Sequence, residues 1–246
     1  MNSTMRTSLA SIIGVLAARS AEAGVNAEAK ATRLMADCKR AMGGPAVDAP
    51  EAFHERGVMT RDGRSGAYET YGDLRGLRSA GSQTFGGETR WAGFDGGAYW
   101  RAGPDGAVAK ATDEQTLRGE RLGTYLTLSG YLYPDRFPAT FRYEGRRRTH
   151  GAEFDLVRVT PKDADSVQLW LDARSHRLAH LEASAGREKV GADVSDYRRV
   201  AGTWVGYALD VTDNGHKVSL RLTDFDYVPL NKAQLSPPAR SQSPNP

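Results

Sequence analysis

The sequence contains one cysteine, five histidines and no apolar run near the roughly 18 residues that span a bilayer. Cys38 alone cannot form an intramolecular disulfide, and so few cysteines exclude a structural zinc site of the usual cysteine spacing. The sequence lacks the H-E-x-x-H and G-x-S-x-G motifs, a Walker loop and a dinucleotide-binding fingerprint after a predicted strand. We therefore expect no catalytic residues, no metal and no cofactor.

The sequence also lacks a large excess of positive or negative charge. Lys and Arg number 33 against 30 Asp and Glu, which gives a formal charge of only +3. The basic residues are scattered, so nucleic acid is not an expected partner. Hydrophobic residues make up 39% and charged residues 26%, which is typical of a soluble globular protein.

The beginning of the sequence has the three-part layout of an export signal. Arg6 precedes an apolar stretch over residues 9–18, and an A-x-A pattern follows at residues 21–23. This arrangement predicts a signal peptide over residues 1–23; an ordinary N-terminal helix is the alternative. Cys38 follows Asp37 rather than a small residue, so we expect an exported protein without a lipid anchor.

Two helices are predicted. The first covers residues 26–42, with Asn26 as its N-cap and a firm stop at Gly43 and Gly44. The second begins at the capping-box pair Thr112 and Gln115. Its last part, residues 125–133, is apolar on nearly all sides, so it belongs to the core or, alternatively, lines a cavity.

The rest of the chain reads as about eleven short strands separated by Gly- and Asp-containing turns, whose residues accept the positive φ of tight hairpins. Such spacing is typical of an antiparallel sheet or barrel. One mainly β domain should cover residues 24–235, and the Ser- and Pro-rich residues 236–246 should form a disordered tail. The strands are predicted at residues 53–60, 65–73, 77–85, 89–94, 98–101, from 140, 154–160, 166–171, 177–183, 203–211 and from 218. In the last strand the apolar face switches at Phe225, which indicates a β-bulge.

Apolar strand faces that curl around one interior could hold a lipophilic ligand. Burying one CH₂ group contributes about 0.8 kcal/mol, so an acyl chain would bind without polar contacts. Periodicity cannot distinguish a hollow interior from a filled one, so plain core packing remains the alternative for each candidate. The candidate ligand-binding residues are Leu122, Tyr125, Leu126, Leu169, Leu171, Val205, Tyr207, Leu209, Val218 and Leu220.

Several short motifs resemble the LolA/LolB-like superfamily, and in particular its divergent outer-membrane lipoprotein-sorting proteins. The motifs are AMGG at 41–44, GFDGGAYW at 93–100, YLYPDRFP at 131–138, VQLWLD at 167–172 and DYRRVAG at 196–202. The chain departs from the family pattern after Val200, where Ala201 stands in place of the usual aspartate and the next strand has no proline.

This resemblance implies an unclosed antiparallel β-barrel with two or three helices packed in its open side, and a periplasmic location. It also implies a monomeric carrier for a hydrophobic ligand such as a lipid or lipoprotein acyl chains. An envelope structural or protein-interaction module without a ligand is the alternative. We expect Trp91, Trp100 and Trp204 to be exposed, which would suit that alternative.

Overall fold

The computed structural model describes residues 9–185, 188–213 and 215–238. Within them lie helices α1 (Leu9–Met42) and α2 (Glu114–Thr127) and the 3₁₀ turns Gly44–Asp48, Gly130–Leu132 and Lys232–Leu235. The strands are β1 (Ala52–Arg61), β2 (Arg64–Asp73), β3 (Arg78–Phe85), β4 (Glu88–Phe94), β5 (Tyr99–Ala102), β6 (Val108–Ala111), β7 (Ala139–Thr149), β8 (Ala152–Pro161), β9 (Val167–Asp172), β10 (Leu178–Ala185), β11 (Glu188–Val200), β12 (Thr203–Asp213) and β13 (His216–Val228).

All thirteen described strands form one antiparallel sheet in the order β6-β5-β4-β3-β2-β1-β13-β12-β11-β10-β9-β8-β7. Strands β6 and β7 are its two edges, so the sheet curls without closing, as predicted. The strand count exceeds the predicted eleven because β6 and β11 were missed. β6 has four residues, none of them buried, and β11 carries small or polar residues at most positions, so neither shows strong apolar alternation.

The predicted β-bulge is confirmed. Arg56 of β1 pairs with Asp224 of β13, whereas the next residue, Gly57, pairs with Leu222. Thr223 is therefore the extra residue, and its hydroxyl donates a hydrogen bond to the backbone oxygen of Arg56 at 3.2 Å. The bulge shifts the inward side of β13 by one residue, which explains the face switch in the sequence.

Helix α1 is longer than predicted. It begins at Leu9, so Asn26 is not its N-cap, because the alanine-rich residues before Asn26 favour helix. Its end is as predicted, since Gly43 has φ +140°, a conformation that glycine adopts without strain. Residues 1–8 and 239–246 lie outside the described residues, so the export signal and the disordered tail remain predictions.

Helix α2 begins one residue later than the capping box predicts. Asp113, rather than Thr112, is the N-cap, and its carboxylate accepts a hydrogen bond from the backbone N–H of Thr116 at 2.9 Å. The helix ends at Thr127, because Ser129 adopts the left-handed conformation with φ +49°. The following residues form the 3₁₀ turn Gly130–Leu132, all three of which are buried.

The two halves of the concave face are filled differently. In the half that contains β7–β9, helix α1 packs mainly on β7, and it also contacts β12. The buried side chains of α1, β8 and β9 belong to one core cluster, which includes Ala31, Leu34, Met35, Cys38, Met42, Val157, Val159, Val167, Leu169 and Leu171. The other half, under β1–β5 and β11–β13, faces the end of α2 and the turn that follows it.

Candidate ligand-binding cavity

A cavity of about 1160 Å³ lies between the concave face of the sheet and the segment from Gly123 to Tyr133. Among the residues of α1 whose side chains the structure describes, 24–42, only Met42 belongs to the lining. Strands β10–β13 form an apolar wall, and β1–β5 form a wall of mixed character. The apolar wall consists of Leu178, Leu181, Val190, Ala192, Val194, Val205, Leu209, Val211, Leu220, Leu222 and Phe225.

The ten candidate residues divide between this lining and the core. Leu126, Val205, Leu209 and Leu220 line the cavity. Leu122, Tyr125, Leu169, Leu171, Tyr207 and Val218 are buried outside the lining. Leu169 and Leu171 lie in the half that α1 fills, and the guanidinium of Arg198 lies 4.3 Å from the centre of the Tyr207 ring. Ligand contact by any of the ten remains a prediction.

The apolar segment at residues 125–133 forms part of the core and also lines the cavity, which were the two alternatives predicted from its sequence. Tyr125 is 1% exposed and belongs to the core. Leu126, Leu128 and Leu132 belong to the same hydrophobic cluster and also line the cavity. The left-handed Ser129 turns the chain here, so one stretch serves as core on one side and as the floor of the cavity on the other.

The tryptophans are less exposed than the interaction-module alternative requires. Trp100 is 1% exposed and packs in a separate cluster with Ala80 and Leu235. Trp91 and Trp204 are partly buried and are among the lining residues. The expectation of three exposed tryptophans is therefore wrong, because the sheet and the C-terminal 3₁₀ turn cover Trp100.

Sequence reasoning missed the wall formed by β1–β5. In the register of these strands, Glu55 lies opposite Thr70, Thr70 opposite Gly81, and then Ala92 and Arg101 follow in one row across the sheet. All five line the cavity. A second row places Tyr68, Gln83 and Arg90 beside the first. Such a mixture of polar, small and charged residues has no apolar period that could reveal an inward face.

Glu55 has an unusual electrostatic environment. Burial raises the pKa of its carboxyl group to about 7, and a hydrogen bond from the Thr70 side chain offsets part of the rise. Glu55 is partly buried and lines the cavity. The pKa of the neighbouring Tyr68 hydroxyl is also raised, by burial and then by the charge of Glu55. Both groups are therefore held toward their neutral forms.

Arginines lie farther along the mixed wall. Arg61, Arg90 and Arg101 line the cavity and are exposed. Arg90 pairs with Glu88, while Arg61 and Arg101 form no ion pair within the described part of the chain. The lining contains no histidine, cysteine or lysine, and the described residues contain no cluster of three or more metal-ligating side chains. The aliphatic side chains of β10–β13 give this cavity a surface suited to an apolar molecule.

No α-helix within the described ranges is long and apolar enough to cross a membrane. No protein-family model matches the sequence, and no curated protein matches it. Solved structures do match. A LolA superfamily protein from Nitrosomonas europaea aligns with a TM-score of 0.58 at 12% identity, over 84% of this chain and 97% of that protein.

Two further structures are similar to this chain. A DUF1329 family protein from Desulfovibrio piger aligns with a TM-score of 0.56 at 14% identity, over 84% of this chain and 97% of that one. A putative outer membrane lipoprotein-sorting protein domain from Vibrio parahaemolyticus aligns with a TM-score of 0.54 at 12% identity, over 82% of this chain and 94% of that one. At these identities the likeness establishes the fold, and this chain has a divergent LolA-like fold.

Proposed function

We propose that this protein is a periplasmic, non-catalytic carrier or binding protein for a hydrophobic ligand, such as a lipid or the acyl chains of a lipoprotein. The observation that supports this function is the cavity of about 1160 Å³, with its wall of aliphatic side chains from β10–β13. This volume exceeds the roughly 300–1000 Å³ of ordinary small-molecule pockets. Each CH₂ group placed there contributes about 0.8 kcal/mol.

The position of α1 on the concave face supports the same function. A helix that covered the whole concave face would complete an ordinary core, whereas α1 packs mainly on β7, and Met42 is the one residue of its described side chains that lines the cavity. Leu209 and Leu222 line the cavity and remain partly accessible, although their side chains are as apolar as those of the filled half. Covering such side chains with a ligand is favourable because it removes them from water.

The structural relatives support the ligand class by analogy of fold. One of them is described as a putative outer membrane lipoprotein-sorting protein domain. A periplasmic location for this chain agrees with its export-type N-terminal sequence. The alternative, an envelope interaction module without a ligand, is less favoured, because Trp100 is buried and a module that acts through its surface has no need of a cavity.

The test begins with protein isolated from the periplasm of a Gram-negative host. Native mass spectrometry should show a bound lipid of defined mass, which organic extraction removes. The delipidated protein should then bind the neutral apolar dye N-phenyl-1-naphthylamine at one site, with a rise in fluorescence. Folded protein that carries no lipid and does not bind the dye would overturn the proposed function.

A further inference from the structure

The mixed wall of the cavity includes a group of oxygen-bearing side chains on β1 and β2. Glu55 and Thr70 are directly opposed on β1 and β2, with their side chains on the concave face. The next two positions in the row are Gly81 and Ala92, which have almost no side chain. A Cβ atom at Gly81 would lie 2.5 Å from the backbone oxygen of Glu69 and 3.2 Å from the Thr70 hydroxyl oxygen. A larger residue at position 81 would therefore crowd the Thr70 hydroxyl group.

Tyr68 adds a third hydroxyl group to this region. It lies two residues before Thr70 on β2, which places it diagonally across from Glu55 on the same face, within reach of a long side chain. Tyr68 is only 5% exposed, and its buried hydroxyl group has no hydrogen-bond partner among the described residues. A buried polar group without a partner destabilises the empty protein, and an acceptor supplied by a ligand would relieve that penalty.

The protonation state of Glu55 determines whether a hydrogen-bond donor or an acceptor of the ligand can bind beside it. With a pKa near 7, much of the carboxyl group is protonated at neutral pH and donates its O–H. The titratable or charged groups that share this wall are Arg61 on the same strand, Tyr68 and Glu69 on β2, Arg90 on β4, Arg101 on β5 and Asp105 in the loop after β5. The arginines are exposed, so water screens their effect on the enclosed carboxyl group.

The hydroxyl groups of Glu55 and Tyr68 can thus donate hydrogen bonds from the mixed wall, while Thr70 donates its own to the Glu55 carboxyl group. We propose that Glu55, Tyr68 and Thr70 form a subsite that binds the carbonyl oxygen of an acyl ester or amide while the apolar wall of β10–β13 holds its chain. This subsite rests on the proposed function and specifies the chemistry of the ligand. A plain hydrocarbon would leave these two donors unsatisfied, whereas a carbonyl oxygen can accept from both.

The experiment compares two ligands that differ by one carbonyl group. Methyl myristate and methyl tetradecyl ether are used to displace N-phenyl-1-naphthylamine from the delipidated protein at pH 6. The ester should bind about tenfold more tightly than the ether, as expected for one or two net hydrogen bonds. In the double variant Glu55→Leu/Tyr68→Phe the two ligands should bind equally, and the ether should bind as it does to the unaltered protein.

Two further variants separate binding from folding. Glu55→Gln keeps an N–H donor at this position and should retain the preference for the ester even if the double variant does not fold. Tyr71→Phe alters a tyrosine of the same strand whose ring stacks on His54, away from the cavity lining, and should leave the preference unchanged.

The outcomes also separate this inference from the proposed function. Equal affinity of the unaltered protein for ester and ether would overturn the subsite and leave the carrier function intact. Failure of both ligands to displace the dye would overturn both. Dipalmitoylglycerol and a dipalmitoyl-cysteine lipopeptide, each compared with its diether analogue, distinguish membrane lipid from lipoprotein as the source of the ester. A preference of either ester over its diether supports the subsite.

Discussion

Gly57 and Tyr68 lie directly opposite each other on β1 and β2, and the Tyr68 ring fills the space that a side chain at position 57 would need. A Cβ atom on Gly57 would lie 2.7 Å from Cε1 of Tyr68 and 2.3 Å from the backbone oxygen of Arg221. Gly57 is also where the register of β1 against β13 shifts. The glycine therefore allows the bulge and positions the ring that borders Glu55.

We expect Gly57→Ala to destabilise the protein by about 1–3 kcal/mol, because both close contacts must be relieved by moving the ring and the backbone. Urea unfolding measures the change. The matched control is Gly119→Ala in α2, where a Cβ atom would meet no atom within 4 Å. Alanine is the better helix former, so that variant should gain about 0.5–1 kcal/mol. Equal stability of the two variants would contradict the predicted clash.

Glu55 should make stability fall as the pH rises toward neutrality. Its pKa of about 7 in the folded protein lies above the value of an unfolded glutamate, near 4.5. The folded state therefore binds more protons between these pH values, and the stabilisation present below pH 4.5 is lost by about pH 7. The loss is at most about 3 kcal/mol.

The measurement is urea unfolding of the unaltered protein and of Glu55→Gln across pH 4.5 to 8. The difference in unfolding free energy between the two proteins should change through this range and become constant above it. The control is Glu51→Gln, which alters an exposed carboxylate that forms no ion pair among the described residues and should give a pH profile parallel to that of the unaltered protein. A difference between the unaltered protein and Glu55→Gln that stays constant with pH would show that the Glu55 carboxyl is not held neutral.

Cys38 should be inert while α1 stays in place. It is 0% exposed, and burial raises its pKa to about 12. Only the thiolate reacts with iodoacetamide, so alkylation at pH 8 should be about a thousandfold slower in the folded protein than in guanidinium chloride. Mass spectrometry of timed samples gives both rates. Rapid labelling of the folded protein would mean that α1 separates readily from β7–β9.

The sequence predicted the β architecture because glycine-containing turns and alternating strands are local features. It could not show which strand faces are filled. Leu169 and Leu209 both occupy apolar positions of alternating strands, yet Leu169 is completely buried in the half that α1 covers and Leu209 lines the cavity. That difference depends on where α1 packs, and the packing is a contact between segments more than a hundred residues apart. The apolar periodicity of a strand does not show which other segment packs against it.

The polar subsite was missed for a related reason. Glu55 and Thr70 were placed within predicted strands, but polar residues at inward positions resemble solvent-facing residues in a sequence. Only the pairing of β1 with β2 places them on the concave face. Leu126 and Leu209, by contrast, were found from apolar patterns alone, because a cavity wall and a core use the same side chains.

A charge introduced on the cavity side of β12 tests the binding site directly. Leu209 lines the cavity, whereas Thr212, three residues later on the same strand, is exposed, since successive side chains alternate between faces. In Leu209→Asp the carboxylate stays hydrated while the cavity is empty, and an apolar ligand must strip that water away. N-phenyl-1-naphthylamine should therefore bind at least about tenfold more weakly, while Thr212→Asp, with the same added charge, should bind it normally. Urea unfolding should show both variants folded, and equal dye affinity in the two would place the ligand somewhere other than this cavity.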